Sequence, residues 1–377
     1  MAPVILPLHK AGALTLASDI HAAIDIPAFP QSSMDGYAFS FEGWGLNKEL
    51  TIDGEIAAGD NVSVKVIPQK AVRIFTGAAV PDGADTVVMQ EKVRTQDGKL
   101  FIEDEKLQVG ANIRPRGSEI KAGMLALPKE SRLSPAAVGF LAGIGITEVP
   151  VIPHPSVTIV VTGNELQAPG QPLGYGQVYE SNSFALLAAL KNVHIEEVEV
   201  VQVRDEPAAL TTTLQQALHN SDLVLLTGGV SVGDYDHVPQ AALNCGVTQL
   251  FHKVAQKPGK PFYFGMWKQK PVFGLPGNPS SVLTCFYLYV VQALEMLSQR
   301  SFGLRTLQVP LGQSYQKPAG LTHFLKGEYD GEKATPLPAQ ESYRMHSFAR
   351  ANCLIEIDES VTFCKEGSVV TVHLLCS

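Results

Sequence analysis

The chain has 377 residues, enough for two or three domains, and its 45% hydrophobic against 18% charged content suits a protein built around buried cores. A formal charge of −8 argues against a general nucleic-acid binder, and no run reaches the roughly 18 consecutive apolar residues that a membrane helix needs. The opening MAPVILPLHKAG lacks the features of a secretory signal, and five scattered cysteines (Cys245, Cys285, Cys353, Cys364, Cys376) predict reduced thiols in a cytoplasmic protein with no membrane and no nucleic-acid partner.

Residues 1–30 hold one short periodic segment, 14–23, and then the extended, Pro-punctuated IDIPAFP. Next comes QSSMDGYA, in which Asp35 before a glycine either caps a turn or faces a ligand. From about 48 to 127 the pattern is short strands and turns, which predicts a β-rich insert. Within it, RIFTGA ends a strand at Thr76 and so presents a hydroxyl and a bare glycine backbone. IRPRGSEIKAG gathers Arg114, Arg116 and Lys121 around Pro and Gly, facing either a phosphate or solvent. SRLSPAAVGFLAGIGITEVP starts a helix at Ser134-Pro135 and stops it near Gly143 and Gly145. VIPHP then leads into a new unit.

From about 155 to 305 strands and helices alternate, the signature of an α/β domain. A strand at 157–161 runs into Thr162, Gly163, Asn164 and Glu165. A Pro/Gly-rich loop precedes a helix from Ser181, and a strand at 195–203 ends beside Asp205. After a helix at 207–219, the stretch DLVLLTGGVSVGDYDH reads as strand, turn and helix start. Glycines let backbone N–H groups approach an anion, Thr227 and Ser231 add hydroxyls, and Asp234 and Asp236 suit a hydrated Mg²⁺ beside a phosphate. The plainer reading is a tight surface turn with solvated acids. Strands at 248–254 and 261–264 flank Lys257 and Lys260, point charges around a rigid Pro-Gly. A last strand, 272–274, meets Pro276, Gly277, Asn278, Pro279 and Ser280 before a long apolar helix at 282–297. In a parallel doubly wound sheet these strand ends converge on one edge. The tail from 306 is β-patterned, a small barrel or sandwich, with SYRMHSFARAN as a polar loop or hairpin carrying Arg344, Ser347 and Arg350.

SSMDGYA, FTGAAVPDGADTVVMQE, IRPRGSEIKAG, VTGNEL, TGGVSVGDYD, KPGKP and GLPGNPSS together resemble, in order and spacing, the molybdopterin molybdenumtransferases. This is the MoeA family, whose eukaryotic relatives include the C-terminal domain of gephyrin. The resemblance spans nearly the whole chain and implies an α/β multi-domain fold. Its parts would be a linking domain (1–21 plus 122–150), a β-rich inserted domain (22–121), a three-layer molybdopterin-binding α/β domain (151–305) and a C-terminal β-barrel (306–377). The implied reaction takes adenylyl-molybdopterin and molybdate and releases AMP with the finished molybdenum cofactor, with Mg²⁺.

Carried over onto this sequence, the resemblance implies that Thr227, Gly228, Gly229, Ser231, Gly233, Pro276, Gly277, Asn278, Pro279 and Ser280 cradle the pterin phosphate and nucleotide. Glu165, Asp205, Asp234 and Asp236 would bind or position Mg²⁺ and the attacking group, and Lys257 and Lys260 would neutralise phosphate. Asp35 and Thr76 would come from the partner's insert in a homodimer, and Ser347 resembles a molybdate-contacting serine. Contacts with the adenylyltransferase and with molybdoenzymes are implied as well.

Four departures stand out. The chain begins near the point where the family usually follows an extra amphipathic helix. Asn164 replaces a common Asp, Leu321 and His323 lie where an Arg and an acid are usual, and SYRMHSFARAN keeps only part of the small-residue pattern. These bear on molybdate handling more than on nucleotide binding. Two other readings are an adenylyltransferase acting one step earlier, which would consume ATP, and a non-catalytic molybdopterin-binding scaffold. Asp236→Asn is expected to keep the fold and abolish turnover; unchanged AMP release would remove Asp236 from the reaction.

Overall fold

The structure, a computed structural model, describes residues 1–46, 48–60, 64–230, 237–302 and 304–375. Its chain divides into two units, one of residues 5–151 and one of residues 1–4 and 152–377.

In the first unit a six-stranded sheet has the order Thr86–Met89, Gly36–Phe39, Lys70–Ile74, Leu50–Ile56, Lys99–Ile102, Val93–Gln96. Its apolar residues split by strand alternation into two small cores, Val72 and Ile74 contributing to one and Phe39 and Leu100 to the other. A separate core brings together the two ends of the unit, with Leu8, Leu16, Leu133, Leu141 and Val151 all buried. The helix there is Pro135–Gly143, where Ser134 accepts a hydrogen bond from the Ala137 N–H and proline occupies the first turn, as the sequence predicts. The periodic 14–23 segment forms two short strands, Thr15–Leu16 and Ile20–His21.

The second unit contains the α/β domain. Its main elements are β1 (Val157–Thr162), α1 (Asn182–Asn192), β2 (Val198–Val203), α2 (Pro207–Asn220), β3 (Leu223–Thr227), α3 (Val238–Asn244), β4 (Thr248–His252), β5 (Tyr263–Trp267), β6 (Lys270–Leu275) and the long helix α4 (Pro279–Ser298). The sheet order is β2-β1-β3-β6-β5-β4. β2, β1, β3 and β6 run parallel, and β5 is antiparallel to both of its neighbours, β6 and β4, so the sheet is mixed, with β5 the reversed strand. The reason lies in chain length. Only Lys268 and Gln269 separate β5 from β6, and a two-residue connection can make only a hairpin.

β1 and β3 are buried from end to end, which is why they read as unbroken apolar runs. Alternation sends Ile159, Leu225 and Phe273 to the face covered by α1 and α4, and Val160, Leu226 and Val272 to the face covered by α2 and α3. By length and composition α4 could cross a membrane; in this fold Val282, Phe286, Val290 and Leu294 are buried in the α/β core.

The tail forms a β domain. Strands β7 (Thr306–Pro310), β8 (Thr322–Tyr329), β9 (Ala334–Pro336), β10 (Cys353–Ile357) and β11 (Val369–Leu374) build one sheet around Val309, Leu325, Ile355 and Val372. Its far edge is a two-residue strand, Gln256–Lys257, which pairs in parallel with Thr322 and His323 of β8. The β4–β5 connection of one sheet therefore supplies a strand to the other. The segment expected as a polar loop or hairpin at 342–352 contains one helical turn, Met345–Phe348.

Leu225 is fully buried at the centre of the sheet. Leu225→Ala is expected to cost about 2–5 kcal/mol through lost contacts and a residual cavity. A shift of the denaturant midpoint, followed by circular dichroism, measures it.

Candidate active site

Parallel register sets the four strand ends side by side. Thr162 at the end of β1 pairs with Val203 of β2, Val161 pairs with Thr227 of β3, and Thr227 pairs with Leu275 of β6. Just beyond β2, Asp205 accepts a hydrogen bond from the Thr162 hydroxyl at 3.3 Å, and its own N–H donates to Asn164 Oδ1 at 3.2 Å. Asn164, where the family usually has Asp, thus pins the backbone of the neighbouring strand end. Beyond β3 the chain turns at Gly228, whose φ is +90° and where a Cβ would stand 2.1 Å from the Thr162 carbonyl oxygen. No side chain fits there.

Asn182, at the start of α1, ties two turns together. Its amide donates to the Thr227 hydroxyl and to the Gly277 carbonyl, each at 2.9 Å, while its Oδ1 is buried with no partner among the described residues. Beside it Glu180 is buried and held by the Ser183 N–H and hydroxyl. Nothing in local patterning singles out Asn182. The only signal was its place one residue after a strand-loop segment.

Lys257 and Lys260 are exposed and make no ion pair among the described residues. Their loop is anchored by buried Gln256, which donates to the Pro258 carbonyl and accepts from the Tyr289 hydroxyl. Gly259 has φ +97°, and a Cβ there would stand 2.6 Å from Cys285 Sγ. The two ammonium groups are thus carried on a tightly packed turn.

Glu165, Asn182, the two lysines and the 276–279 turn face one cleft of about 840 Å³, whereas Asp205, Thr227, Gly228 and Gly229 are not among its lining residues. Glu165 and Asn182 line one side, Lys257 and Lys260 another, and Pro276, Gly277, Asn278 and Pro279 form its floor turn. The tail adds Leu321, where the family usually has an arginine, together with Gln340, Ser342 and Tyr343, which the sequence reading did not select. The Ser342 carbonyl accepts the Ser280 N–H at 3.0 Å, and the Ser342 hydroxyl accepts from the Asn278 amide at 2.9 Å. Ser280 itself is buried. Burial first, then Lys257 and Lys317, pushes His323 down to about 4, so it is a neutral imidazole at neutral pH and no substitute for an arginine.

Other residues stand elsewhere. Ser347 is buried, donates to the Ala339 carbonyl at 2.9 Å and does not line the cleft. Asp35 and Thr76 meet in the 5–151 unit: both the N–H and the hydroxyl of Thr76 donate to Asp35 Oδ1, at 2.8 and 2.7 Å, and hold its carboxyl below the usual range. Arg116 is engaged with Asp25 at 2.7 Å, leaving Arg114 and Lys121 exposed. Ser231, Gly233, Asp234 and Asp236 lie outside the described residues. Among those described, no group of three His, Cys, Asp or Glu is placed to hold a metal. Glu165 and Asp205, carboxylates at neighbouring strand ends and in no described ion pair, have the hard oxygen donors that suit Mg²⁺.

Gly228→Ala is expected to cost about 1–3 kcal/mol in backbone strain alone and to lower kcat/KM for the cleft's substrate at least about tenfold. Thermal melting together with steady-state kinetics tests both.

Three family descriptions match in succession: "MoeA N-terminal region (domain I and II)" over residues 1–145, "Probable molybdopterin binding domain" over 158–296 and "MoeA C-terminal region (domain IV)" over 308–375. The chain is 34% identical to a molybdopterin molybdenumtransferase of Nostoc sp., covering 98% of this chain and 88% of that one. To the protein of that name in Haemophilus influenzae it is 32% identical, covering 98% and 94%. Its fold is similar to the crystal structure of a molybdopterin biosynthesis MoeA protein from Pyrococcus horikoshii, with a TM-score of 0.85 at 31% identity, covering 100% and 96% of the two chains. By its full length, its three successive regions and its fold, the chain belongs to the MoeA family of molybdopterin molybdenumtransferases.

Proposed function

We propose that this protein inserts molybdate into adenylylated molybdopterin and releases AMP with the molybdenum cofactor. The observation that carries this reading is the cleft in which Lys257 and Lys260, in no ion pair among the described residues, share walls with Glu165 and the Gly277–Asn278 turn. Cleaving a phosphoanhydride puts negative charge on the leaving phosphate, and fixed cations there lower the barrier without covalent chemistry. Lys257 and Lys260 supply that charge. Thr227, Gly228 and Gly229, with Ser231 and Gly233, would bring hydroxyls and bare backbone to phosphate oxygens, and Pro276, Gly277, Asn278, Pro279 and Ser280 would shape the facing turn.

Glu165 and Asp205, with Asp234 and Asp236, would hold Mg²⁺, which supplies charge neutralisation on the phosphates when bound. In a homodimer the partner's insert would complete the site through the carboxylate that Thr76 holds ionised, Asp35. Contacts with the adenylyltransferase that makes the substrate and with the molybdoenzymes that take the product belong to the same reading. A reducing cytoplasm suits the four described cysteines, which are buried and unpaired.

The test is AMP release from adenylyl-molybdopterin by purified protein with Mg²⁺, with and without molybdate. The expected result is molybdate-dependent AMP release without ATP. Lys257→Ala and Lys260→Ala should each lower kcat/KM by about 10- to 100-fold, the worth of a charge-assisted contact of about 1.4–2.8 kcal/mol. Binding without AMP release would instead favour a scaffold, and ATP consumption an adenylyltransferase.

A further inference from the structure

Lys326 lies in the middle of β8 and is only 2% exposed, yet no carboxylate pairs with it among the described residues. Its Nζ donates instead to three backbone carbonyls, those of Ala339 at 2.7 Å, Arg344 at 3.0 Å and Glu341 at 3.2 Å. Three acceptors use all three N–H bonds of an ammonium, which is how a buried lysine is compensated without a counter-charge. All three carbonyls belong to one segment, 339–344. The same segment is fixed again by Gln340, whose amide donates to the Lys326 and Leu337 carbonyls and whose Oε1 accepts the Lys326 N–H. Ala339 is held in the left-handed region at φ +59°, a conformation unfavourable for a side chain, with Lys326 and Ser347 both bonded to its carbonyl.

The other side of this segment is the cleft. Gln340, Ser342 and Tyr343 line it, and Ser342 holds the floor turn twice, through the Ser280 N–H and the Asn278 amide. A continuous chain of hydrogen bonds thus runs from a buried ammonium in the tail sheet to the turn that begins α4.

We propose that Lys326 is a positioning residue for the cleft: it holds segment 339–344 in place, and through Ser342 that segment sets the position of the Asn278–Ser280 turn against which the substrate binds. Lys326 touches no substrate; its effect is on affinity. Only the kinetic half of the test rests on the transferase reading given above.

Lys326→Met keeps the stem and removes the three donors. Two measurements read the outcome. Amide hydrogen exchange in peptides spanning 276–284 reports the Ser280 N–H directly; exchange at least tenfold faster in the variant, with the melting temperature of the α/β core retained, is expected, and unchanged exchange overturns the proposal whatever the activity. In the AMP-release assay KM for adenylyl-molybdopterin should rise about tenfold with kcat within threefold, since a merely structural loss would lower the active fraction, and so kcat, instead. Ser342→Ala should raise KM in the same direction and add nothing further in the Lys326→Met background; additive effects would overturn the coupling. Should Lys326→Met fail to fold, Lys326→Gln, which keeps a polar end but not the three-donor ammonium, is read by the same two measurements, wild-type KM and wild-type exchange at 276–284 refuting the proposal. Wild-type protein without molybdate-dependent AMP release would refute the transferase reading, and the exchange experiment would still judge Lys326.

Discussion

The cleft depends on one short piece of chain that serves two sheets. Gln256 and Lys257 leave the α/β sheet after β4, pair in parallel with Thr322 and His323 of the tail sheet, and return to the first sheet as β5. The parallel ladder fixes the backbone of Lys257, the buried Gln256 side chain fixes the turn after it, and Gly259 lets that turn pack against Cys285 of α4. Cation, turn and tail wall are positioned together. Without the tail sheet, the lysine loop would be an unsupported excursion between two antiparallel strands.

Against that frame the α/β strands do ordinary work. Their buried ladders bring Thr162, Asp205, Thr227 and Leu275 to one edge, where loops can carry polar groups while the strands beneath stay dry. Asn182 and Asn164 are the cross-braces of this edge. Each uses a side-chain amide to hold the backbone or hydroxyl of a different strand end. Asn182 also keeps a buried acceptor, Oδ1, that has no partner among the described residues.

Much of this was legible in the sequence because it is local. Strand-turn-helix segments announce themselves through apolar runs that break at Gly, Ser or Asn-Pro, and Gly228, Lys257 and the Asn278 turn were found that way. The reversed direction of β5 was missed because direction is set by a two-residue hairpin after β5 and by a strand lent to the other sheet. Asn182, Ser342 and Lys326 were missed for a related reason: their partners are distant in sequence, Gly277 lying 95 residues from Asn182 and Asn278 64 residues from Ser342. Ser347 was picked out by pattern, but burial turns its hydroxyl toward Ala339. A serine looks the same on either side of a wall.

The strand shared between sheets also governs how the molecule can be taken apart. The tail is not a detachable module, because its outermost strand is drawn from the middle of the α/β domain, between β4 and β5. Cutting the chain at the boundary before β7 would leave Gln256 and Lys257 without their ladder and Ser280 without Ser342. The apolar core beneath β1 and β3 itself takes in Phe324, Phe348 and Leu354 of the tail, so removing the tail opens that core as well as the cleft.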